Sequence, residues 1–307
     1  MIIDAILNNN AVVVRRDRRD IIVVERGIGF HAKKGDQLTL QDSMKVYVPE
    51  DHAKLKIAMA TIASLPDEYL TIAARIIQEA EVHLHTKFNS YLLIELADHI
   101  HFAVTRLHEQ LILHNKLLWE IQIAYEPAFS MGEWALTEIA NQIGEQLPED
   151  EAGFIALKFV SNDLSQQHPV NSVAFTQMLA NITKIIFYQL GLNMNAKTPE
   201  YQRLVIHLKF FLQRVYATST AKTPVSPEPY DQALLAHLQQ DYAQAYRCME
   251  DVVKFMQTKL PGPISKNEQI YLTLHIARLA KSQGESLKSS VKRFSTLTVN
   301  SIKHASE

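Results

Sequence analysis

A repeat in the second part of the sequence limits the fold more than any other feature. The segment HIHFAVTR at 99–106 matches HLKFFLQR at 207–214, with His, an aliphatic residue, Phe and Arg at the same spacing. Two more pairs follow in the same order: YEPAF at 125–129 with YAQAY at 242–246, and DEAGFIALKFV at 150–160 with NEQIYLTLHIA at 267–277. Three ordered matches at a nearly constant offset predict two copies of one structural unit, each of ordinary domain size.

The first 50 residues have a different pattern. The β-branched segments IIDAIL, AVVVRR, DIIVVE and KVYVPE are separated by turn-forming stretches, which predicts four short antiparallel strands. From about residue 52 the apolar residues recur at three- and four-residue spacing, which predicts helices. The expected fold class is multidomain: a small all-β N-terminal domain with a four-stranded antiparallel sheet, followed by two all-α helical bundles. Since so few residues bury little apolar surface, we expect the β domain to be dimeric.

The changes of pattern also predict domain boundaries. We expect the β domain at 1–56, the first helical domain at 57–170 and the second at 171–284. The remaining stretch, 285–307, is rich in Ser and Lys, and we expect a loosely ordered polar tail.

Charge and cysteine content argue against several classes of protein. The chain has 31 Lys and Arg against 33 Asp and Glu, so its net charge of −2 does not by itself indicate binding to nucleic acid or membrane. The single cysteine, Cys248, leaves no intrachain disulfide and no cysteine-based zinc site. No apolar stretch reaches the ~18 residues of a membrane span and no signal region precedes the first strand, so we expect a cytoplasmic protein without membrane insertion.

The repeat places histidines at equivalent points, His99, His207 and His275, while Lys158 takes the fourth position. A histidine can transfer protons, bind a metal or accept a phosphoryl group, and it can also simply pack at an interface. On a helix His99 and His101 point in different directions, and His101 and His108 share a face but lie two turns apart, so we expect no metal. The acids at 149–151 fit favourable charges at a helix N-terminus. Because no hydrolase, phosphate-loop or HExxH motif is present, we expect neither an enzyme nor a cofactor.

Two turn regions of the β domain carry polar or aromatic residues that could bind a ligand. The run Asn8, Asn9 and Asn10 stands between two strand segments, although asparagine is depleted from strands and favoured in turns. The segment GIGFHAKKGD at 27–36 places Phe30 in a glycine-containing loop. An aromatic residue there either fills a core or offers a stacking face to a nucleobase.

Taken together, these segments resemble the BglG/SacY family of bacterial transcriptional antiterminators, over residues 1 to about 282. The matching segments are ILNNNAVVV, GIGFHAKKGD, ADHIHFAVTR, EAGFIALKFV, RLVIHLKFF and YLTLHIARL, in the order of the family. The resemblance implies that 1–56 is a co-antiterminator domain. In the family this domain dimerises and binds an RNA hairpin in a nascent leader transcript, so that a terminator does not form in a sugar-utilisation operon. It also implies that 57–170 and 171–284 are phosphotransferase-regulation domains (PRDs).

The resemblance also implies partners and site residues. In the family, a sugar-specific phosphotransferase permease usually inactivates the protein through the first PRD. The histidine phosphocarrier protein usually supports activity through the second. The residues that match the family's RNA-binding positions are Asn8, Asn10, Arg26, Gly27 and Phe30. The residues that match its phosphorylated histidines are His99, His207 and His275. Within the asparagine run we expect Asn9 to shape the turn.

The sequence departs from the family at three positions. Lys158 replaces the fourth histidine, Glu25 replaces a glycine before the Arg-Gly of the loop, and Ala5 replaces a lysine. The alternative to an antiterminator is a DNA-binding activator or an interaction adaptor that uses the same regulation domains. Such activators begin with helix-turn-helix segments, whereas this chain begins with strand and turn patterns, so we favour the antiterminator.

Overall fold

The computed structural model describes residues 1–16, 19–41, 44–49, 52–165, 171–219, 229–260 and 262–282. The chain divides into two compact units, Met1–Ser172 and Val173–Glu307. The expected polar tail at 285–307 lies outside the described residues.

The first unit begins with one antiparallel sheet of four strands, as the sequence predicts, and their order in the sheet is β1-β2-β3-β4. The strands are β1 Ile2–Asn8, β2 Ala11–Arg16, β3 Arg19–Val24 and β4 Lys45–Tyr47. Each strand pairs with the next along the chain, so the sheet needs only hairpin connections. The turn between β1 and β2 is the asparagine run, and the connection from β3 to β4 contains the glycine loop.

Both faces of this sheet are covered. On one face Val12, Val14 and Val23 pack with apolar residues from the β3–β4 connection, among them Ile28. Since successive side chains alternate between faces, the buried Val13 belongs to the other face. Helix α1 (His52–Ser64) contacts β1 and β3. The β domain is therefore joined to the helices that follow it by packing as well as by the chain.

The rest of the described chain is helical, and this confirms the predicted fold class of a small β domain followed by helical domains. After α1 come α2 Asp67–His83, α3 Leu92–His108, α4 Leu118–Ala124, α5 Glu126–Ile143, α6 Glu149–Asn162, α7 Ser172–Gln189, α8 Pro199–Ser219, α9 Gln232–Asp241, α10 Ala243–Gln257 and α11 at 266–282. None of the helices in these described ranges is both long and apolar enough to cross a membrane.

The repeat is visible in the backbone as well as in the sequence. At Tyr125 the chain leaves the helical conformation between α4 and α5, with φ −131° and ψ 42°. At the matching position Tyr242 it does so between α9 and α10, with φ −123° and ψ 39°. Pro127 explains the first break, because proline cannot continue a helix from the preceding turn. No proline follows Tyr242, so the shared break belongs to the fold of the repeat.

Helices α5 and α6 approach each other closely at a glycine. A Cβ on Gly132 would lie 2.3 Å from the carbonyl oxygen of Ala152, far inside contact distance. Only glycine lets the two backbones meet at this point, and α6 carries residues of the candidate site described below.

Replacing Gly132 by alanine should destabilise the first unit by about 1–3 kcal/mol, because α5 and α6 must move apart. For this net destabilisation, the packing energy lost between α5 and α6 must exceed the ~1 kcal/mol that alanine gains over glycine in helix propensity. Chemical denaturation of the intact chain, followed by circular dichroism, measures the change. Ser130→Ala on the exposed side of α5 is the control. A Gly132→Ala variant as stable as the wild type would contradict the close packing.

Candidate functional site

Hydrogen bonds join the asparagine turn to the glycine loop. The Asn8 side-chain oxygen accepts a hydrogen bond from the Asn10 backbone N–H at 2.9 Å, and the Asn10 side-chain oxygen accepts one from the Gly27 N–H at 2.7 Å. The Gly29 N–H donates to the Asn9 carbonyl at 2.9 Å. The predicted residues Asn8, Asn10 and Gly27 therefore lie together. The side chain that closes the turn belongs to Asn8, so the expectation that Asn9 has this role is wrong.

The loop presents its two other predicted residues to solvent. Arg26 is exposed, and the Phe30 side chain is 64 % exposed with its ring centroid 4.2 Å from that of His31. Because Phe30 does not fill the core of the β domain, its ring is available for stacking on a flat partner.

The three asparagine amides donate to the corner between α1 and α2. Asn8 Nδ2 donates at 3.1 Å to the Ile62 carbonyl in the last turn of α1, which also accepts from the Leu65 N–H at 3.2 Å. Asn9 Nδ2 donates to the Asp67 carboxylate at 2.6 Å, and Asn10 Nδ2 donates to the Asp67 carbonyl at 3.1 Å. Nothing in the sequence pairs these residues, because Asp67 fits a helix start by itself.

In the first repeat, His99 belongs to a three-residue cluster between α3 and α6. His99 Nε2 lies 3.0 Å from Glu151 Oε2, and the Arg106 guanidinium donates to Glu151 Oε1 at 2.7 Å. The Glu151 side chain is only 3 % exposed. Burial acts to raise the pKa of Glu151, but His99 and Arg106 outweigh it and hold the pKa below its usual value. Glu151 is therefore a buried carboxylate as well as a first-turn acid of α6.

The second repeat uses the same residue types in another arrangement. Arg214 donates to both oxygens of Glu268, at 2.6 and 2.9 Å. His207 Nδ1 lies 3.1 Å from the Tyr271 hydroxyl, and the His207 and His275 ring centroids are 3.8 Å apart. The structure thus brings together the two histidines that the sequence predicts in this repeat.

The surroundings of these two rings favour neutral imidazoles. Burial, then the positive groups His207, Arg278 and Arg214, lower the pKa of His275 to about 4. Burial and two nearby arginines also lower the pKa of His207. A neutral imidazole has one nitrogen with a free lone pair, which a phosphoryl acceptor requires. Two imidazole rings this close also cannot both be doubly protonated without charge repulsion.

The arginine and glutamate of each cluster, together with Tyr271, are functional candidates that the sequence reasoning did not select. The aligned repeat contains the signal, since Arg106 matches Arg214 and Glu151 matches Glu268. Lys158, at the position matching His275, is half-buried on α6. Within the described residues, no group of three or more His, Cys, Asp or Glu could hold a metal ion.

Comparison with protein families gives two matches that together span most of the chain. Residues 1–56 match the CAT RNA binding domain, and residues 74–162 and 180–279 each match the PRD domain. The doubled PRD match confirms the predicted repeat. The finer boundaries expected at residues 57, 171 and 285 stay predictions.

Relatives of nearly the same length are also known. The chain is 32% identical over 282 residues to transcription antiterminator LicT of Bacillus subtilis, covering 92% of this chain and 99% of that protein. It is 34% identical over 280 residues to the beta-glucoside operon antiterminator of Dickeya chrysanthemi, covering 91% and 96%. A crystal structure of the CAT-PRDI part of GlcT aligns with a TM-score of 0.49 and 25% identity, covering 54% of this chain and 98% of that one.

Replacing His275 by glutamine should remove a pH-dependent loss of stability. Because the folded state lowers the pKa of His275 from 6.5 to about 4, its neutral form stabilises the fold fully above pH 6.5, and this is lost as the pH falls toward 4. Between pH 7 and 4 the wild type should lose roughly 2 kcal/mol more than His275→Gln, after allowance for partial solvent exposure.

Denaturant unfolding of the intact chain at several pH values measures this difference. Lys158→Gln, at the repeat-equivalent position on α6, is the matched control. Parallel pH profiles for wild type and His275→Gln would show that His275 is not held neutral by the fold.

Proposed function

Since this chain belongs to the BglG/SacY family of transcriptional antiterminators, we propose that its own site residues bind a leader-transcript hairpin under the control of histidine phosphorylation. Binding the hairpin prevents formation of the overlapping terminator, so transcription of a sugar-utilisation operon continues. The protein acts in the cytoplasm as a regulator that accepts phosphoryl groups and catalyses no reaction of its own.

The observation that carries the proposed RNA surface is the bond from Gly27 N–H to the Asn10 side chain. It joins the asparagine turn to the loop and leaves Arg26 and Phe30 exposed beside it. Arginine and an aromatic ring suit phosphate and nucleobase, and side-chain amides suit base edges and 2′-hydroxyls. This bond supports the proposal because it holds the turn beside the loop, although the Asn10 side chain is itself buried.

The contacts of the asparagines with the α1–α2 corner suggest how RNA binding is controlled. The amides of Asn8 and Asn10 cannot donate to RNA with the same hydrogens that they give to Ile62 and Asp67. RNA that takes these same hydrogens therefore competes with the corner for them. A change in the first PRD that strengthens or weakens this docking alters the RNA affinity of the β domain.

Phosphohistidine is the change that we propose for the PRDs. A phosphoryl group adds about two negative charges at one point. In the first repeat it would be added beside Glu151 and Arg106, whose ion pair it would disturb. We assign the phosphoryl donors to the sugar-specific permease for His99 and to the histidine phosphocarrier protein for His207 and His275.

We propose that the active form is a homodimer. Phe102 and Phe210 stand at matching repeat positions, one helical turn after His99 and His207, and are 52 % and 50 % exposed. Repeat-matched exposed aromatics beside the candidate acceptors suit burial against a second copy. Phosphate at such an interface faces its own copy and either repels it or recruits an arginine, which changes the arrangement of the dimer.

RNA binding by the intact chain tests the proposal. Gel shifts in several salt concentrations should show preference for leader hairpins over random-sequence RNA. Phe30→Ala should lower hairpin affinity by ~10-fold or more, because one stacked base contributes about 1–3 kcal/mol. Tyr188→Ala, an 85 % exposed aromatic of the second unit, should leave the affinity unchanged. Equal binding of hairpins and random RNA would contradict the proposed function.

Phosphoryl transfer tests the proposed control. Incubation with phosphoenolpyruvate, the phosphocarrier protein and the enzyme that loads it should place acid-labile phosphate on His207 or His275. A His207→Ala, His275→Ala double variant should lose that label, whereas His237→Ala, an exposed histidine of the same unit, should keep it. Unchanged labelling of the double variant would rule out phosphocarrier control through the second PRD.

A further inference from the structure

In the two repeats, a neighbouring side chain lies against opposite ring nitrogens of the matching histidines. His99 has its Nε2 against a carboxylate, Glu151. His207 has its Nδ1 against a hydroxyl, that of Tyr271. The histidines are repeat equivalents, so the difference comes from their neighbours and not from their place in the fold.

In the first repeat the Glu151 carboxylate lies against one ring nitrogen of His99, Nε2. His99 Nε2 and Glu151 Oε2 are both buried and lie 3.0 Å apart, at ion-pair distance, and neither atom has an aligned hydrogen bond among the described residues. Because a charged carboxylate can only accept, this proximity favours a hydrogen on His99 Nε2 over a lone pair there. In the neutral ring the lone pair is then on Nδ1. Within the described part of the chain, no hydrogen-bond partner occupies that Nδ1.

In the second repeat the equivalent glutamate has a different partner. Arg214 donates to both oxygens of Glu268, and the hydrogen-bond partner of His207 is Tyr271 instead of this carboxylate. Tyr271 stands where the first repeat has Phe154, and its hydroxyl lies 3.1 Å from His207 Nδ1. This hydroxyl blocks the approach to Nδ1 and leaves Nε2 as the open nitrogen.

We propose that phosphoryl transfer is directed to Nδ1 of His99 and to Nε2 of His207, with Glu151 and Tyr271 as the positioning residues. The inference rests on the proposed phosphorylation of these histidines and specifies the atom that accepts the group. The same fold would thus carry two chemical isomers of phosphohistidine, one in each PRD.

The transfer step balances at both sites. At His99 the Nδ1 lone pair forms the new P–N bond, and the bond from phosphorus to the donor protein's phosphorylated side chain breaks, with its electron pair returning to the donor. The hydrogen on Nε2 stays against Glu151, whose negative charge stabilises the ring as it becomes positive. At His207 the lone pair of Nε2 attacks, while Nδ1–H donates to the Tyr271 oxygen.

Two measurements on the intact chain test the assignment. With histidine ring nitrogens labelled with ¹⁵N, spectra above pH 8 should show a protonated Nε2 and a lone-pair Nδ1 for His99, assigned through His99→Gln. After enzymatic phosphorylation, isomer-specific detection on isolated peptides should find the Nδ1 isomer at His99 and the Nε2 isomer at His207.

Variants of Tyr271 and Glu151 distinguish a role in positioning the histidines from a purely structural role. Tyr271→Phe removes one hydroxyl and copies the first repeat, so His207 should give a mixture of both isomers. Tyr246→Phe, which removes a hydroxyl bonded to Gln239, is the control and should keep the Nε2 isomer. Glu151→Gln should remove the fixed Nε2–H form of His99 in the ¹⁵N spectrum.

The outcomes distinguish this inference from the proposed function. A lone-pair Nε2 at His99, or the same isomer on both histidines, overturns the inference even though the protein is phosphorylated. Phosphate on neither histidine overturns the proposed control, while the ¹⁵N spectrum of the unmodified chain still decides whether Glu151 sets the tautomer.

Discussion

The ion pair between an arginine and a glutamate is the interaction on which both candidate phosphorylation sites depend. A carboxylate as buried as Glu151 stays charged only with a charged or hydrogen-bonding partner, and Arg106 supplies one from the neighbouring helix. In the second repeat Arg214 and Glu268 form the equivalent pair with both oxygens engaged. Each pair fixes two helices against each other and determines which side chain lies against the histidine ring.

The β domain depends on a comparable use of side-chain amides. Each of the asparagine side chains donates to the α1–α2 corner, and two of them also hold the turn and the loop together. These side chains are therefore structural, and Asn10 is itself buried. In the proposed function, RNA competes with the α1–α2 corner for the same donors, which links the helices to the proposed RNA surface.

Much of this architecture follows from local patterns. The change from strand alternation to helical spacing predicts the sheet and the helices, and the repeat predicts that Tyr125 and Tyr242 occupy equivalent places. Such patterns could not predict contacts between residues that are far apart in the sequence. Glu151 fits the first turn of a helix whether or not it also contacts His99. Asp67 likewise fits a helix start whether or not it contacts Asn9. The choice of Asn8 as the residue that closes the turn depends on backbone conformation, which three identical neighbours do not reveal.

In the proposed function the asparagine amides exchange between the helical corner and RNA. The side-chain ¹⁵N amide signals of Asn8 and Asn10 in the intact chain report this exchange while a leader hairpin is added. Both signals are expected to shift to new positions with saturation, together with the backbone signals around Asp67. Signals that stay in place at saturating hairpin would contradict it.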